Sequence, residues 1–288
     1  MTTTDVVGAS PISGGNSATW DADNFRRWCR MKMGDGGTTH WYISGDLYEY
    51  PTGRLLAKVE GVDMARGMTE SADEVVHQLS RKLFVFRDPD TGAVLTEVDG
   101  SPVVPIRYPY QHIVYRRLPG GGGVSTEVTM GTGEHVTRMR GNSISVRHLE
   151  GTHRTCFTCP VFLNLDTEQG PYEAYENYDY FHDGRSEGEW TVSDDGDAAE
   201  GKKDGGGRAS HHHCTWVRFG AAAPFSQSAV LHALVWRVGA FDDLPGSLRE
   251  YIDSEAPMWR DAPKDLEEIR RLQEPAPDGR GDGADDDE

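Results

Sequence analysis

Apolar and polar side chains alternate through most of the middle of the chain, and this period of two predicts β-strands. Residues 40–50 and 54–62 form one predicted hairpin, because Pro51-Thr52-Gly53 between them is a typical turn sequence. A second hairpin of almost the same design is predicted at 83–87 and 93–98. Further strands are predicted at 103–117, 124–130, 135–149, 155–165, 172–182, 214–219 and 229–238.

Helical periodicity is scarce and lies mainly near the two ends of the chain. Apolar residues recur every three or four positions across 23–33, before Gly34 ends the pattern. Near the other end, 245–254 and 263–273 are predicted helices. A further helical stretch is expected at 71–80, where Ser71 and Glu74 have the spacing of a capping box.

These elements together predict a mainly β (α+β) fold. Many sequential antiparallel strands need a solution for their exposed edges. We therefore expect a curved antiparallel sheet or a closed β-barrel, with one N-terminal helix and two C-terminal helices.

The chain is expected to hold one domain between two tails. Residues 1–19 are rich in Thr, Ser and Gly without a period, and residues 274–288 are strongly acidic, so both are predicted to be disordered. The single β-rich domain is placed at 20–273. Within it, residues 184–210 carry seven acidic residues and few apolar ones, which predicts a flexible acidic insertion.

Composition narrows the classes of partner. The chain has 47 acidic against 29 basic residues and a formal charge of −18, which argues against nucleic acid and anionic membranes as partners. No apolar run approaches the roughly 20 residues that cross a bilayer, and residues 1–15 lack the pattern of a signal peptide. We expect a cytoplasmic protein without membrane insertion. Lysine is rare and occurs only at positions 32, 58, 82, 202, 203 and 264.

The densest group of candidate catalytic residues lies on the strand predicted at 172–182. Alternation places Glu176, Tyr178, Tyr180 and His182 on one face of that strand. Phenols and an imidazole can donate and accept protons, and a neighbouring carboxylate changes their pKa values. The row therefore suits the wall of a pocket, although a polar outer face with cross-strand tyrosine contacts is an equally good interpretation.

Two other strands add candidates of the same kind. Trp216 and Arg218 share a face of one, and His232 and Trp236 share a face of another. The predicted catalytic residues are Glu176, Tyr178, His182, Arg218 and His232. The predicted ligand-binding residues are Trp41, Tyr48, Glu60, Tyr108, His112, Tyr180, Trp216 and Trp236.

Cysteine and histidine spacings leave a metal site as an alternative only. Cys156 and Cys159 have the C-x-x-C spacing, but positions three apart on a strand point to opposite faces. His211 and His213 satisfy one part of a strand-borne metal site. The chain has no H-E-x-x-H, G-x-S-x-G or G-x-G-x-x-G motif, so we assign neither a metal ligand nor a cofactor.

Several short motifs follow one another in an order that resembles the DUF1838 family, a domain of unknown function. They are Trp41-x-x-x-Gly45-x-x-Tyr48, Val59-Glu60-Gly61 followed by Arg66, Arg87-Asp88-x-x-Thr91-Gly92, the region of Glu176 and Phe181, Trp216-x-Arg218, the small-residue strand around 230–236, and Pro257 with Pro263. They span about 41–263, nearly the whole expected domain. The resemblance implies a shared fold and carries no reaction.

The sequence thus favours a cofactor-independent enzyme that performs acid/base chemistry on a small, mostly apolar molecule in a barrel cavity, as an isomerase, cyclase or lyase. The first alternative is a protein that binds or carries such a molecule without converting it. The second is a metal-dependent enzyme that uses His211 and His213 with a carboxylate, or Cys156 and Cys159.

Overall fold

A computed structural model of the chain describes nine segments, and the statements below concern these. They are residues 19–34, 36–71, 74–132, 135–140, 144–152, 154–167, 170–183, 211–219 and 228–274. The acidic insertion predicted at 184–210 and nearly all of both predicted tails lie outside the described residues.

Three α-helices and thirteen strands make up the described fold. The helices are α1 (Ala22–Met33), α2 (Gly246–Glu255) and α3 (Leu266–Gln273). The strands are β1 (Thr39–Glu49), β2 (Leu55–Ser71), β3 (Val75–Arg87), β4 (Glu97–Val98), β5 (Ser101–Pro102), β6 (Ile106–Arg117), β7 (Val124–Thr132), β8 (His135–Arg140), β9 (Ser145–His148), β10 (Arg154–Thr167), β11 (Gly170–Asp183), β12 (His211–Phe219) and β13 (Ala229–Val238). Short 3₁₀ turns include Pro257–Arg260 after α2.

Eleven of the strands form one antiparallel sheet in the order β8-β7-β6-β3-β2-β1-β13-β12-β11-β10-β9. The strands β4 and β5 pair separately. The large sheet curls into a half-barrel, and in the described part of the chain β8 and β9 are its two edges. Of the two architectures that the sequence left open, the curved sheet is therefore correct and the closed barrel is not.

Helix α1 packs inside the half-barrel and touches both of its walls. Its first turn is capped by Asp21, whose Oδ1 accepts from the Asn24 backbone at 2.8 Å. The ring of Trp28 then contacts Tyr115 of β6 on one wall and Phe157 and Tyr180 on the other, at 5.0–5.7 Å between centroids. Because these aromatic contacts come from β6, β10 and β11, α1 joins the two walls across the concave face.

The two C-terminal helices cover the opposite, outer face of the sheet. Leu248 and Ile252 of α2 and Trp259 pack on apolar side chains of β2 and β3, and Ile269 of α3 packs with Leu79. The Trp259 indole also donates to the Lys82 backbone carbonyl at 3.0 Å. The middle of the sheet is therefore covered on both faces, which explains the nearly continuous burial along β2 and β3.

Three local predictions need correction. The described residues of 71–80 are not helical: β2 ends at Ser71 and β3 begins at Val75, and both pair with neighbouring strands. Val76 and Leu79 have helical spacing, but on β3 they point to opposite faces and are buried in separate clusters. The hairpin at 83–98 contributes one bridge, between Arg87 and Val94, and the strand predicted at 135–149 is divided into β8 and β9.

Two glycines of the family-like motifs lie where strands approach closely. A Cβ on Gly45 would lie 2.6 Å from the Ala233 Cβ, and one on Gly61 would lie 2.3 Å from the Leu83 carbonyl oxygen. Real Cβ atoms do not come this close to a backbone atom, so only glycine fits at these positions without a shift of the strand.

Candidate functional site

A cavity lies between α1 and the two walls of the half-barrel. Its empty volume is about 990 Å³, including the part that is open to solvent. Its polar and charged lining residues are Lys32, Asp63, Gln78, Lys82, Tyr108, Gln111, Tyr115, Thr126, Cys159, Glu176, Tyr178, Tyr180 and Arg218, and its remaining lining residues are Trp28, Phe84, Ile106, Ile113, Val128, Met130, Val161 and Trp216. A cavity lined by apolar side chains with a few convergent polar groups has the character of a small-molecule site.

The centre of the polar wall is an inner cluster of Glu176, Tyr178 and Arg218. Glu176 and Tyr178 alternate on β11, and Arg218 reaches them from the neighbouring strand β12. One carboxylate oxygen of Glu176 accepts from the Arg218 guanidinium, and the other accepts from the Tyr178 hydroxyl. Arg218 also stacks over the Trp216 ring, with 4.6 Å between the guanidinium carbon and the ring centroid.

These hydrogen bonds set the charge states in the inner cluster. Burial raises the pKa of Glu176, but Arg218, the Tyr178 hydroxyl and Lys82 outweigh burial and hold that pKa below its usual value. Burial and the Glu176 charge raise the pKa of Tyr178 well above its usual value. At neutral pH the cluster therefore contains a carboxylate, a neutral phenol and a guanidinium.

Lys82 reaches the inner cluster from the other side of the half-barrel. It lies on β3, and its Nζ is 5.5 Å from the centroid of the Tyr178 ring on β11. Its nearest carboxylate is that of Asp63, at 3.8 Å, which is an ion pair without a hydrogen bond. Burial lowers the pKa of Lys82, but Asp63 and Glu176 outweigh burial and hold that pKa above its usual value.

A second lysine enters the cavity from α1. The Lys32 Nζ donates to the Tyr180 hydroxyl at 2.9 Å and lies 4.6 Å from the centroid of the same ring. The residue is only 4% exposed. Burial lowers the pKa of Lys32 to about 8, although Asp63 acts in the opposite direction.

Asp63 lies on β2 between the two lysines and is largely buried. Its Oδ1 has no hydrogen-bond donor among the described residues. An unpaired buried carboxylate oxygen is costly, so this position suits a donor group from a bound molecule or a water.

The wall opposite β11 and β12 is partly apolar. Ile106 and Ile113 of β6 and Val128 and Met130 of β7 lie there beside the neutral polar residues Tyr108, Gln111, Tyr115 and Thr126 of the same strands. The charged lining residues come instead from α1, β2, β3, β11 and β12. A ligand that fits this cavity carries both polar groups and an apolar part.

Six of the thirteen predicted site residues line the cavity together. They are Glu176, Tyr178 and Arg218 of the predicted catalytic set and Tyr108, Tyr180 and Trp216 of the predicted ligand-binding set. Burial raises the pKa of Tyr108, so its phenol is neutral as well. Alternation on β11 and β12 was the signal for five of these residues, and the sixth, Tyr108, lies on β6.

Two further predicted residues lie on the same side of the sheet but do not line the cavity. His182 is buried near the end of β11, where it is paired in register with Thr155. Trp41 is fully buried beneath Tyr180 and His212, with ring centroids 6.3 and 5.1 Å away, and its indole donates to the Lys32 carbonyl at 3.1 Å. Trp41 thus supports α1 and the polar wall from behind.

The other five predicted residues lie on the outer face, away from the cavity. On β13, Leu231, Ala233 and Val235 fill the inner face, so His232 and Trp236 point outward. His232 and Trp236 therefore do not line this cavity. By the same alternation, Tyr48 on β1, Glu60 on β2 and His112 on β6 also point to the outer face.

Each of these outward residues has an outer-face contact. The Tyr48 hydroxyl donates to Asp46 at 3.3 Å, and the rings of His112 and His77 are stacked 5.2 Å apart. Glu60 is bound by Arg87, with 2.7 Å between Nε and Oε2. These contacts stabilise the outer surface, so these residues do not bind a ligand in the cavity.

Neither alternative metal set faces the cavity as a group. His211 and His213 lie on the outer face of β12 against the Phe181 ring. Cys159 lines the cavity, whereas Cys156 points to the other face of β10 and contacts Thr158. Across the described segments, no three His, Cys, Asp or Glu residues are close enough to hold a metal ion.

The sequence interpretation missed Lys32, Asp63 and Lys82. Lys32 lies between Met31 and Met33, Asp63 between Val62 and Met64, and Lys82 between Arg81 and Leu83. The rarity of lysine in this chain was an available signal, because two of its six lysines line the cavity.

The fold and the site together define a class of protein: an open β half-barrel whose cavity has a mixed lining of charged, neutral polar and apolar side chains. The chain belongs to the family described as a protein of unknown function (DUF1838), whose model matches residues 37–272. The resemblance expected from the motifs is confirmed, and the matched region begins after α1. Comparisons with curated proteins and with solved structures give no match. Among the described helices, none is both long and apolar enough to cross a membrane.

Proposed function

We propose that the protein is a cofactor-independent enzyme that converts a small, mostly apolar molecule by proton transfer, as an isomerase, cyclase or lyase. The observation that carries this proposal is the inner cluster of Glu176, Tyr178 and Arg218, which faces a cavity of mixed polar and apolar lining. An ionised carboxylate that holds a neutral phenol at a cavity wall is a group through which a proton can move.

In the proposed step, the Tyr178 oxygen takes a proton from the substrate while the phenolic proton passes to Glu176 along their existing hydrogen bond. Arg218 and Lys82 stabilise the negative charge that develops on the substrate. The proton then returns through Tyr178 to a different substrate atom or to a leaving group. The enzyme ends each cycle unchanged, and the step transfers no electrons to a carrier.

A second candidate, a carrier that binds the same molecule without converting it, is favoured by one observation. Both oxygens of Glu176 already accept hydrogen bonds, and these hold its pKa below the usual value. A carboxylate held in this way is a weak base. In a carrier, Glu176 would serve only to hold Tyr178 and Arg218 in place at the wall of the cavity.

Deuterium incorporation separates the two candidates even while the substrate is unidentified. A metabolite extract from the organism that encodes the chain is incubated in D₂O with the purified protein, and compounds that disappear or gain deuterium are found by mass spectrometry. We expect at least one such compound with the unaltered protein and none with Glu176→Gln.

The matched control is Glu60→Gln. Glu60 is held by an arginine and a tyrosine in the same way, but on the outer face of the sheet. Its variant therefore retains the activity. If the unaltered protein changes no compound but retains one in native mass spectrometry, the carrier is correct and the enzyme is not. Equal activity of Glu176→Gln and the unaltered protein would contradict the role of the inner cluster.

A further inference from the structure

The charged side chains that line the cavity have an excess of positive charge. Lys32, Lys82 and Arg218 carry three positive charges into the cavity, and Asp63 and Glu176 carry two negative charges. Burial raises the pKa values of Tyr108, Cys159, Tyr178 and Tyr180, which line the same cavity, so these four side chains are neutral. One positive charge is therefore left over in a protein whose formal net charge is −18.

The excess charge belongs to the lysines rather than to the arginine. Arg218 is bound to Glu176, whereas Lys32 donates to a neutral phenol and Lys82 is 3.8 Å from its closest carboxylate. No carboxylate of the described residues lies within hydrogen-bond distance of either ammonium group. Burying an ammonium group without a bound anion is costly, so an anion that enters the cavity gains from both lysines.

The two lysines are placed to act on the same bound group. Lys32 lies against Tyr180 and Lys82 against Tyr178, and these two rings stack 6.3 Å apart on β11. Both lysines also interact with Asp63. Apolar side chains of β6 and β7 line the same cavity, so a ligand anchored here extends an apolar body along Ile106, Ile113 and Val128.

From this arrangement we propose that the cavity binds an apolar monocarboxylic acid, with the carboxylate between Lys32 and Lys82. One negative charge neutralises the single excess positive charge of the cavity. A dianion such as a phosphate monoester would instead give the cavity a net negative charge beside Asp63 and Glu176. The free Oδ1 of Asp63 accepts a hydrogen bond from a hydroxyl group or a water beside the carboxylate. Under the proposed function this acid is the substrate, and only that role rests on the proposed function. The binding of the acid is argued from the lysines and the cavity alone.

Equilibrium binding tests the inference independently of turnover. Isothermal titration calorimetry at pH 7 compares octanoate with octanamide, which has the same chain and no charge, and with octyl phosphate. We expect octanoate to bind about tenfold to a hundredfold more tightly than octanamide, as a charge-assisted hydrogen bond provides. We also expect octyl phosphate to bind more weakly than octanoate.

Lys82→Met removes the preference for octanoate, and Lys58→Met retains it, because Lys58 is exposed on the outer face beside Asp46. If Lys82→Met does not fold, Lys32→Met removes the other ammonium group and one positive charge, and it likewise removes the preference for octanoate. Equal affinity of the unaltered protein for octanoate and octanamide, or an unchanged preference in the folded Lys82 variant, overturns the inference.

The outcomes distinguish this inference from the proposed function. A preference for octanoate without deuterium incorporation into any compound supports the acid site and contradicts the enzyme. Conversion of neutral compounds without a preference for octanoate supports the enzyme and contradicts the acid site. Tighter binding of octyl phosphate than of octanoate shows an anion site of a different charge and overturns the assignment to a monocarboxylate.

Discussion

Two largely buried glutamates, one on each face of the same sheet, are held by the same kinds of partner. On the outer face, Glu60 accepts from the Arg87 Nε at 2.7 Å and from the Tyr42 hydroxyl at 3.1 Å. We call these three residues the outer cluster. On the inner face, Glu176 has an arginine and a tyrosine in the same roles. The exposed fractions of the two glutamate side chains are also nearly the same, 12% and 13%.

The surroundings of the two clusters differ. Arg87 also donates to the backbone carbonyls of Gly92 and Ser247, at 3.2 and 3.3 Å, so the outer cluster connects the sheet to a turn and to α2. The inner cluster instead faces a cavity and a second cation, Lys82. An identical set of side chains is therefore a structural clamp where another element covers it, and a candidate reaction site where empty space adjoins it.

The largest expected effect tests whether the two clusters contribute equally to the stability of the protein. Glu176→Gln and Glu60→Gln each leave a buried guanidinium without its carboxylate, so we expect each to lower the free energy of unfolding by about 3 kcal/mol. Urea denaturation measures this loss. The deuterium activity is lost only in Glu176→Gln. A loss of stability in one variant and none in the other would contradict the structural equivalence of the clusters.

A second prediction concerns Lys32, which has no counterpart at the outer cluster. Burial lowers its pKa to about 8, while Lys82 lowers it further and Asp63, Cys159 and Cys214 raise it. The uncharged Tyr180, Trp41 and His212 complete its surroundings. Between about pH 8 and 10.5, Lys32 is therefore neutral in the folded chain and still protonated in the unfolded chain.

Because the unfolded chain binds more protons in this range, stability rises with pH. Relative to Lys32→Met, we expect the free energy of unfolding of the unaltered protein to increase by about 3 kcal/mol from pH 8 to 10.5. Urea denaturation at several pH values measures the difference. Lys58→Met is the control, because the hydrogen bond and charge of Asp46 raise the pKa of Lys58. The difference in free energy of unfolding between the unaltered protein and Lys58→Met therefore shows no such rise with pH. A flat difference for Lys32 would mean that its ammonium group is not desolvated.

Much of the fold could be predicted because strand alternation is a local property. The row of Glu176, Tyr178 and Tyr180 on one face of β11 follows from a period of two alone. Whether the sheet closes could not be predicted in this way, because closure depends on whether the distant strands β8 and β9 meet. The stretch 71–80 has a local signal for a helix cap, but that signal does not report the pairing with β2 and β6 that makes it a strand.

The site was only partly predictable because alternation does not tell which face points inward. On β11 the polar face is the inner one, but on β13 the inner face is apolar and His232 points outward. Lys32, Asp63 and Lys82 come from three elements, and only the curl of the sheet around α1 brings them together.

The smallest expected effect separates the two tyrosines. Tyr178→Phe and Tyr42→Phe each remove one hydroxyl that donates to a carboxylate, so each lowers the free energy of unfolding by about 1 kcal/mol. Of the two tyrosines, only Tyr178 lines the cavity together with its glutamate, so we expect only Tyr178→Phe to reduce the rate of deuterium incorporation, by at least about tenfold. Tyr175→Phe, on the opposite face of the same strand, controls for changes in β11. An unchanged rate in Tyr178→Phe would leave Glu176 as the proton acceptor without a relay, and the two clusters would then differ by their glutamates alone.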